Sequence, residues 1–284
     1  MPPMLRADLH CHSRVSDGLL TPTELVLHAA SREVDMLALT DHDDVAGVAE
    51  ASRAAIEAGV TFVPGVEISV SWGEHSLHIV GLGVDPLNPA LLAGLQSIRD
   101  GRQGRAERMA LELEKIGIHG ALEGATRFAA GSSIIGRTHF ARFLVEQGLA
   151  ADVKSVFDHY LARDKVGYVP HHWVGLDLAI AWIRGAGGIA VIAHPARYRI
   201  SSNERRRFYE AFQALGGEAI EVVSGAAHPN EQRDAANTAR RFGFLASCGS
   251  DFHATGESHI DVGAIPPLPD DLVPVWERLS CLAR

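Results

Sequence analysis

The chain has 284 residues, with 35 acidic against 26 basic side chains and a formal charge of −9, so it lacks the overall basic field that duplex DNA binding rests on. Its hydrophobic fraction is 46%, yet no apolar run approaches the roughly 18 residues a bilayer span needs, which argues against membrane insertion. The amino terminus enters a charged strand without the basic-then-apolar pattern of an export signal, and Cys11, Cys248 and Cys281 show no paired spacing, so a cytoplasmic location with reduced thiols is expected.

In chain order the pattern begins as short apolar strands alternating with helices. Leu5 to Leu9, Met36 to Leu39 and Thr61 to Val66 are predicted strands, and Thr21 to Glu33 and Val45 to Ala58 predicted helices. Ile68 to Ser71 and Leu77 to Val80 interrupt this rhythm as two strands around a Gly73-Glu74 turn. From about residue 92 to 168 the strand signal vanishes and helix formers dominate, broken at Gly117, Gly120, Gly131 and Gly148. Alternation resumes with helices at Leu176 to Gly185, Phe208 to Leu215 and Asn230 to Phe242, and strands at Ile189 to Ala193, Ala219 to Val223 and Phe244 to Cys248. The expectation is an α/β barrel from segments 1–91 and 169–284, with 92–168 inserted as a helical cap.

Seven arginines lie between Arg99 and Arg142. Arg99, Arg102, Arg105 and Arg108 recur every third residue, so on a helix they drift by about 60° per step and at most part of the series can line one pocket. The reading preferred from sequence is a solvated helix face paired with Glu107, Glu112 and Glu114.

Nine polar residues sit at or just after predicted strands: His10, His12, Asp17, His42, Glu67, His78, His194, Asp251 and His253. His10 and His12 are two apart in an extended segment and project to one side, where both can grip one ion; Cys11 between them faces the other way and packs. Histidines and carboxylates without thiolate spacing suit manganese, iron or zinc. Glu67, after an apolar strand, is placed to bridge two ions, and two or three cations would offset the carboxylates and attract phosphate. Asp8, Asp41 and Asp43 are expected to orient the ligating imidazoles.

His10-Cys-His12, Thr40-Asp41-His42, Ala193-His194-Pro195 and Gly249-Ser-Asp251-Phe-His253 together resemble the four signatures of the PHP (polymerase and histidinol phosphatase) family, in family order along nearly the whole chain. The resemblance implies a distorted (β/α)7 barrel of the amidohydrolase-like kind with a trinuclear site. His10, His12, Glu67 and Asp251 would hold one ion, Glu67, His78 and His194 a second, and Asp17, His42 and His253 the third, with manganese the first choice of metal.

Ile135-Gly136-Arg137-Thr138-His139, Tyr168-Val169-Pro170 and His194-Pro195-Ala196-Arg197-Tyr198 are similar to the group acting on nucleoside 3′,5′-bisphosphates and very short RNA ends, although that group has proline where this chain has Thr138. The implied reaction is removal of a 3′-phosphate, adenosine 3′,5′-bisphosphate giving AMP and phosphate, by a metal-bridging hydroxide. Such a substrate needs a second phosphate site, for which Arg137 and Arg197 are the candidates, with His171 and His172 as further phosphate contacts or proton donors. Trimming of short 5′-phosphorylated RNA, histidinol phosphate hydrolysis and a metal-binding scaffold without turnover are the alternatives. Oligomeric state is not encoded in any feature of the sequence.

Overall fold

β6 (Ile189–Ile192) and β7 (Ala219–Ser224) are buried along their whole length, as expected where a sheet is covered on both faces. The computed structural model describes residues 5–132, 134–225, 227–258 and 260–282, apart from the side chains of 280–282; Cys281 therefore falls outside the described side chains. The other strands are β1 (Ala7–Asp8), β2 (Met36–Leu39), β3 (Thr61–Trp72), β4 (His75–Leu82), β5 (Val174–Gly175) and β8 (Leu245–Gly249).

Seven strands form one path, β1-β2-β3-β4-β6-β7-β8, with β5 attached to β3 beside it. The β1–β2–β3 and β6–β7–β8 steps are parallel, whereas β4 pairs antiparallel with both β3 and β6. That hairpin is what distorts the barrel. The two ends of the path meet: Leu9 N–H donates to Cys248 O at 2.9 Å and Asp251 N–H to His10 O at 2.8 Å. The α/β barrel is therefore nearly closed, and its strand ends converge on one mouth.

The strands expected separately at Thr61 to Val66 and Ile68 to Ser71 are one strand. Glu67 does not break it, because Glu67 is fully buried and stays in register opposite Val80. Helices α1 (Pro22–Ser31) and α2 (Val48–Ala58) follow β1 and β2. Thr21 caps α1 in a reciprocal box with Glu24, and Gly59, at φ +73°, ends α2 in the left-handed turn that glycine adopts without penalty.

The next segment is helical: α3 (Pro89–Glu114), α4 (Ala121–Phe128), α5 (Arg137–Glu146), α6 (Val153–Val156) and a π-turn over Phe157–Leu161. It has an apolar core of its own, including Met109, Leu113, Phe140, Leu144 and Leu161, separate from the barrel core of Ile68, Ile79, Val191, Ile220 and Phe212. Helices α7 (Leu176–Gly185), α8 (Ser202–Ala214), α9 (Pro229–Phe242) and α10 (Val275–Leu282) complete the chain. Among the described residues no helix is long and apolar enough to cross a membrane.

Candidate metal centre

All nine sequence-predicted acids and histidines meet at the barrel mouth: Glu67 and His78 from within β3 and β4, and the others from the segments that follow β1, β2, β6 and β8. Glu67 is the hub. Its Oε1 lies 2.8 Å from His78 Nδ1, 2.9 Å from His194 Nε2 and 3.4 Å from His10 Nε2. Its Oε2 lies 2.8 Å from His42 Nδ1 and 3.4 Å from His12 Nε2. His10 Nε2 and His12 Nε2 approach to 3.1 Å, with Asp251 Oδ1 3.2 Å from the latter. Asp17 Oδ1 stands 3.3 Å from His253 Nε2 and 3.9 Å from His42 Nε2.

Whether these donors fit cations is decided by what they do to one another. His42 Nδ1 and Glu67 Oε2 are close but misaligned, and both are buried atoms without a hydrogen-bond partner among the described residues; Asp17 Oδ1 and His194 Nδ1 are orphaned likewise. Buried polar atoms left unpaired are costly. Four of them around one cluster, in donor groups of His12-Asp17-His42-His253, His10-His12-Glu67 and His42-Glu67-His78, make the donor set of a divalent-metal centre. The three groupings expected from sequence overlap these, with His42 also turned toward Glu67.

The electrostatics agree. Burial favours a neutral Glu67, but His78, His10 and His42 hold its carboxyl well below the usual range. Burial, then His253 and His42, push His12 down to about 3, and burial pushes His78 to about 4, so both present neutral lone pairs. Backbone conformation also marks the site. His194 (φ +27°), Asp251 (φ +54°) and Asp43 (φ +51°) are among the few non-glycine residues with positive φ, a strain that persists where surrounding contacts over-determine it.

The expected orienting acids act differently from expectation. Asp8 accepts from Ser250 N–H and Gly263 N–H, each at 2.8 Å, and so ties loops together. Asp41 accepts from Ser13 and Ser16, and only through the Ser16 hydroxyl, 3.5 Å from His12 Nδ1, does it reach an imidazole. Asp43 accepts from Arg102 and from Ser69 N–H. None of the three contacts an imidazole directly, because their oxygens are taken up by backbone N–H groups, serine hydroxyls and the Arg102 guanidinium.

The acid that does so is Glu221, which the sequence reading missed. It lies in β7 beside a register irregularity between Glu221 and Val223, and its Oε1 sits 2.5 Å from His10 Nδ1 while Oε2 accepts from His194 N–H at 2.6 Å. The signal was available: a lone acid inside Ala219-Ile-Glu-Val-Val is a buried charge in need of a partner. Tyr198 was also missed. Its hydroxyl accepts from His78 N–H at 2.9 Å and its ring packs edge-on to His194, 5.5 Å away.

A cavity of about 720 Å³ opens from the cluster toward α3, α5 and the 163–173 segment. Arg137, Arg197 and His171 line it; His172 is exposed and outside the lining, since the extended chain alternates sides. Arg197, 55% exposed, forms an ion pair with Asp251, which lifts its pKa. Arg137 is half-buried, with its guanidinium 5.5 Å from the Phe157 ring centroid, and among the described residues no carboxylate pairs with it. Burial and the neighbouring Arg102 lower its pKa.

The solvated reading of the α3 arginines is overturned. Arg102 and Arg105 are largely buried in the cavity wall, 4.7 and 5.4 Å from the Trp173 centroid. Arg102 is neutralised by Asp43, and Arg105 donates to Val169 O at 3.2 Å and has no carboxylate partner among the described residues. Burial, then Arg137 and Arg102, press the Arg105 pKa down to about 9. The 60° drift puts the middle two inward and leaves Arg108 exposed; the glutamates pair elsewhere, Glu112 with Lys115 and Glu107 with Gln103.

Comparison with known proteins agrees with this geometry. Residues 8–162 match the PHP domain family model. The chain is 51% identical to a 3′,5′-nucleoside bisphosphate phosphatase of Chromobacterium violaceum, over 98% of its own length and 97% of the relative's. It is 41% identical to a 5′-3′ exoribonuclease of Haemophilus influenzae, over 95% of its length and 98% of the relative's. A solved amidohydrolase structure from Chromobacterium violaceum, with bound sulfate and no metal, matches with a TM-score of 0.94 at 51% identity, covering 98% of this chain and 96% of that one. With the family model matching more than half of its residues and relatives aligned almost end to end, the chain belongs to the PHP domain family.

Proposed function

We propose that the chain is a metal-dependent phosphomonoester hydrolase that removes the 3′-phosphate from nucleoside 3′,5′-bisphosphates, such as adenosine 3′,5′-bisphosphate to AMP and phosphate. One observation carries the reading: the same cavity holds the Glu67-centred cluster and, apart from it, the guanidiniums of Arg105 and Arg137, which have no carboxylate partners among the described residues. Two anion-seeking centres in one pocket suit a substrate with two phosphates. The name of the Chromobacterium relative supports it.

In this reading His10, His12, Glu67 and Asp251, then Glu67, His78 and His194, then Asp17, His42 and His253 hold the ions, manganese first and iron or zinc as alternatives. When bound, divalent ions neutralise phosphoryl charge and make water acidic enough to act as a nucleophile at neutral pH. The chain's own part is positional. Glu221 fixes the His10 ring so that Nε2 faces the cluster, and Tyr198 clamps the backbone of His78. Arg105 and Arg137 hold the phosphate that stays, while Arg197, at the rim beside Asp251, faces the one that leaves. We assign the helical segment 92–168 as a cap that supplies the distal phosphate contacts, since Arg102, Arg105 and Arg137 all lie in it. His171, pushed down to about 4 by burial and by Arg105, Arg108 and Arg102, is neutral at pH 7 and serves as a hydrogen-bonding group. Buried free Cys11 and Cys248 accord with a reducing compartment such as the cytoplasm.

Cleavage of short 5′-phosphorylated RNA is the second reading, favoured by the Haemophilus relative, and uses the same pair of phosphate sites. A histidinol phosphate substrate would bring an ammonium group toward Arg105 and Arg137, which repel it. The test is a phosphate-release screen with added manganese over nucleoside monophosphates and bisphosphates, short RNAs and histidinol phosphate. The reading predicts fastest turnover on 3′,5′-bisphosphates; faster turnover of histidinol phosphate, or no release with any ion, would sink it.

A further inference from the structure

Two of the three donor groups are strand-built, with His10, Glu67, His78 and His194 on or at the ends of β1, β3, β4 and β6. The third is not. Asp17 lies in the turn after β1, and His253 in the loop after β8. Loops are the more mobile parts of a fold, so a site built on two of them needs something to set their spacing.

We propose that α5 is the element that holds the Asp17–His42–His253 ion site in shape, with Thr138 and Arg142 as its two positioning residues. The proposal rests on the reading of that triad as an ion site. The Thr138 hydroxyl donates to Asp17 Oδ2 at 2.8 Å. This fixes the carboxylate and turns its other oxygen, buried and without a hydrogen-bond partner, toward His253 and His42. Four residues further along, on the same face of the helix, Arg142 is 4% exposed and donates through Nε and Nη2 to Glu257 at 2.8–3.1 Å. Glu257 belongs to the turn whose Ser258 hydroxyl accepts from His253 N–H at 2.8 Å. One face of one helix therefore grips the loops that bear Asp17 and His253, two of the three donors, while His42 follows β2.

Arg137 immediately precedes Thr138 in the first turn of α5 and lines the cavity. Thr138 and Arg142 touch no reacting atom; they act through Asp17 and His253.

The test is manganese loading of the full chain after chelation. Bound ions are counted by elemental analysis after gel filtration, and affinities are read from free manganese by electron paramagnetic resonance. Wild type is expected to take up three equivalents. Thr138→Val, which keeps shape and loses the donor, should weaken one equivalent by about 10–100-fold and leave the other two unchanged, the usual effect of losing a group that orients a ligand. Thr138→Ser should restore it, and Arg142→Gln should show the same single-site deficit. Should Arg142→Gln fail to fold, the Val and Ser pair still decides the matter, with unfolding of the chelated proteins as the control. Three equivalents of unchanged affinity in Thr138→Val overturn the role of α5. Uptake of only two by wild type overturns the ion-site reading beneath it, and the two failures are told apart by which protein shows them.

Discussion

Glu221 Oε1 lies 2.5 Å from His10 Nδ1, and the same carboxylate accepts from the backbone of His194 at 2.6 Å, so one buried acid in β7 sets two donors, one after β6 and one after β1. It fixes which nitrogen of His10 carries the proton and leaves Nε2 for the cluster. Glu221→Gln keeps the volume but faces one of the two N–H groups with an amide donor. Manganese affinity is expected to fall about 10–100-fold, measured by competition with a coloured chelator. Unchanged affinity would show that Glu221 serves the fold alone.

Much of this was legible in advance because chemistry and periodicity coincide. Most of the ligands stand just past strand ends, where alternation stops and a polar residue has no structural reason to be. What was hidden depends on approach in three dimensions. The inward turn of Arg102 and Arg105 follows from Trp173 and Asp43, remote in sequence, and spacing alone left their direction open. Sequence places Glu67 just past the end of a strand, yet the ladder runs through it because five imidazoles surround its buried carboxylate. Asp8, Asp41 and Asp43 were given the role that Glu221 holds, since adjacency in the chain is a poor guide to which side chain reaches an imidazole.

Gly249 is where the barrel seam is tightest. A Cβ added there would stand 2.2 Å from His10 Cβ and 2.8 Å from His10 N. Gly249→Ala must therefore push β8 away from the segment after β1 that bears His10. A cost of about 1–3 kcal/mol, typical of overpacking, is expected in urea unfolding of the metal-free protein, together with weakened manganese binding. Wild-type stability in Gly249→Ala would mean the seam can relax.

Removing the ions should cost stability as well as activity, since the cluster then holds unpaired buried atoms, Asp17 Oδ1 and His194 Nδ1 among them. Ions that bind only the folded chain add roughly 2.7 kcal/mol per site at a hundredfold excess over Kd. Thermal unfolding with chelator, then with rising manganese, should show a Tm that climbs with concentration and does not climb with magnesium at equal ionic strength. A Tm indifferent to manganese would argue that the donors do not form a cation site.

Arg105→Gln separates phosphate recognition from chemistry. A charge-assisted hydrogen bond to phosphate contributes about 1.5–3 kcal/mol, so KM for a 3′,5′-bisphosphate should rise roughly 10–150-fold, while turnover of an ester with one phosphate and no distal anion stays within about twofold. A second readout comes from His171, whose pKa is lowered to about 4 by burial and then by Arg105, Arg108 and Arg102. Removing the Arg105 charge takes away part of the penalty on the imidazolium, so the His171 titration followed by NMR should move upward toward 6.5. The sign carries over to stability. Unfolded His171 takes up a proton near 6.5 and the folded imidazole only near 4, so its contribution is lost as pH falls through that interval, and Arg105→Gln should narrow the interval. An unmoved His171 with a raised KM would place Arg105 at the substrate but away from that histidine; a moved His171 with unchanged KM would remove Arg105 from phosphate binding altogether.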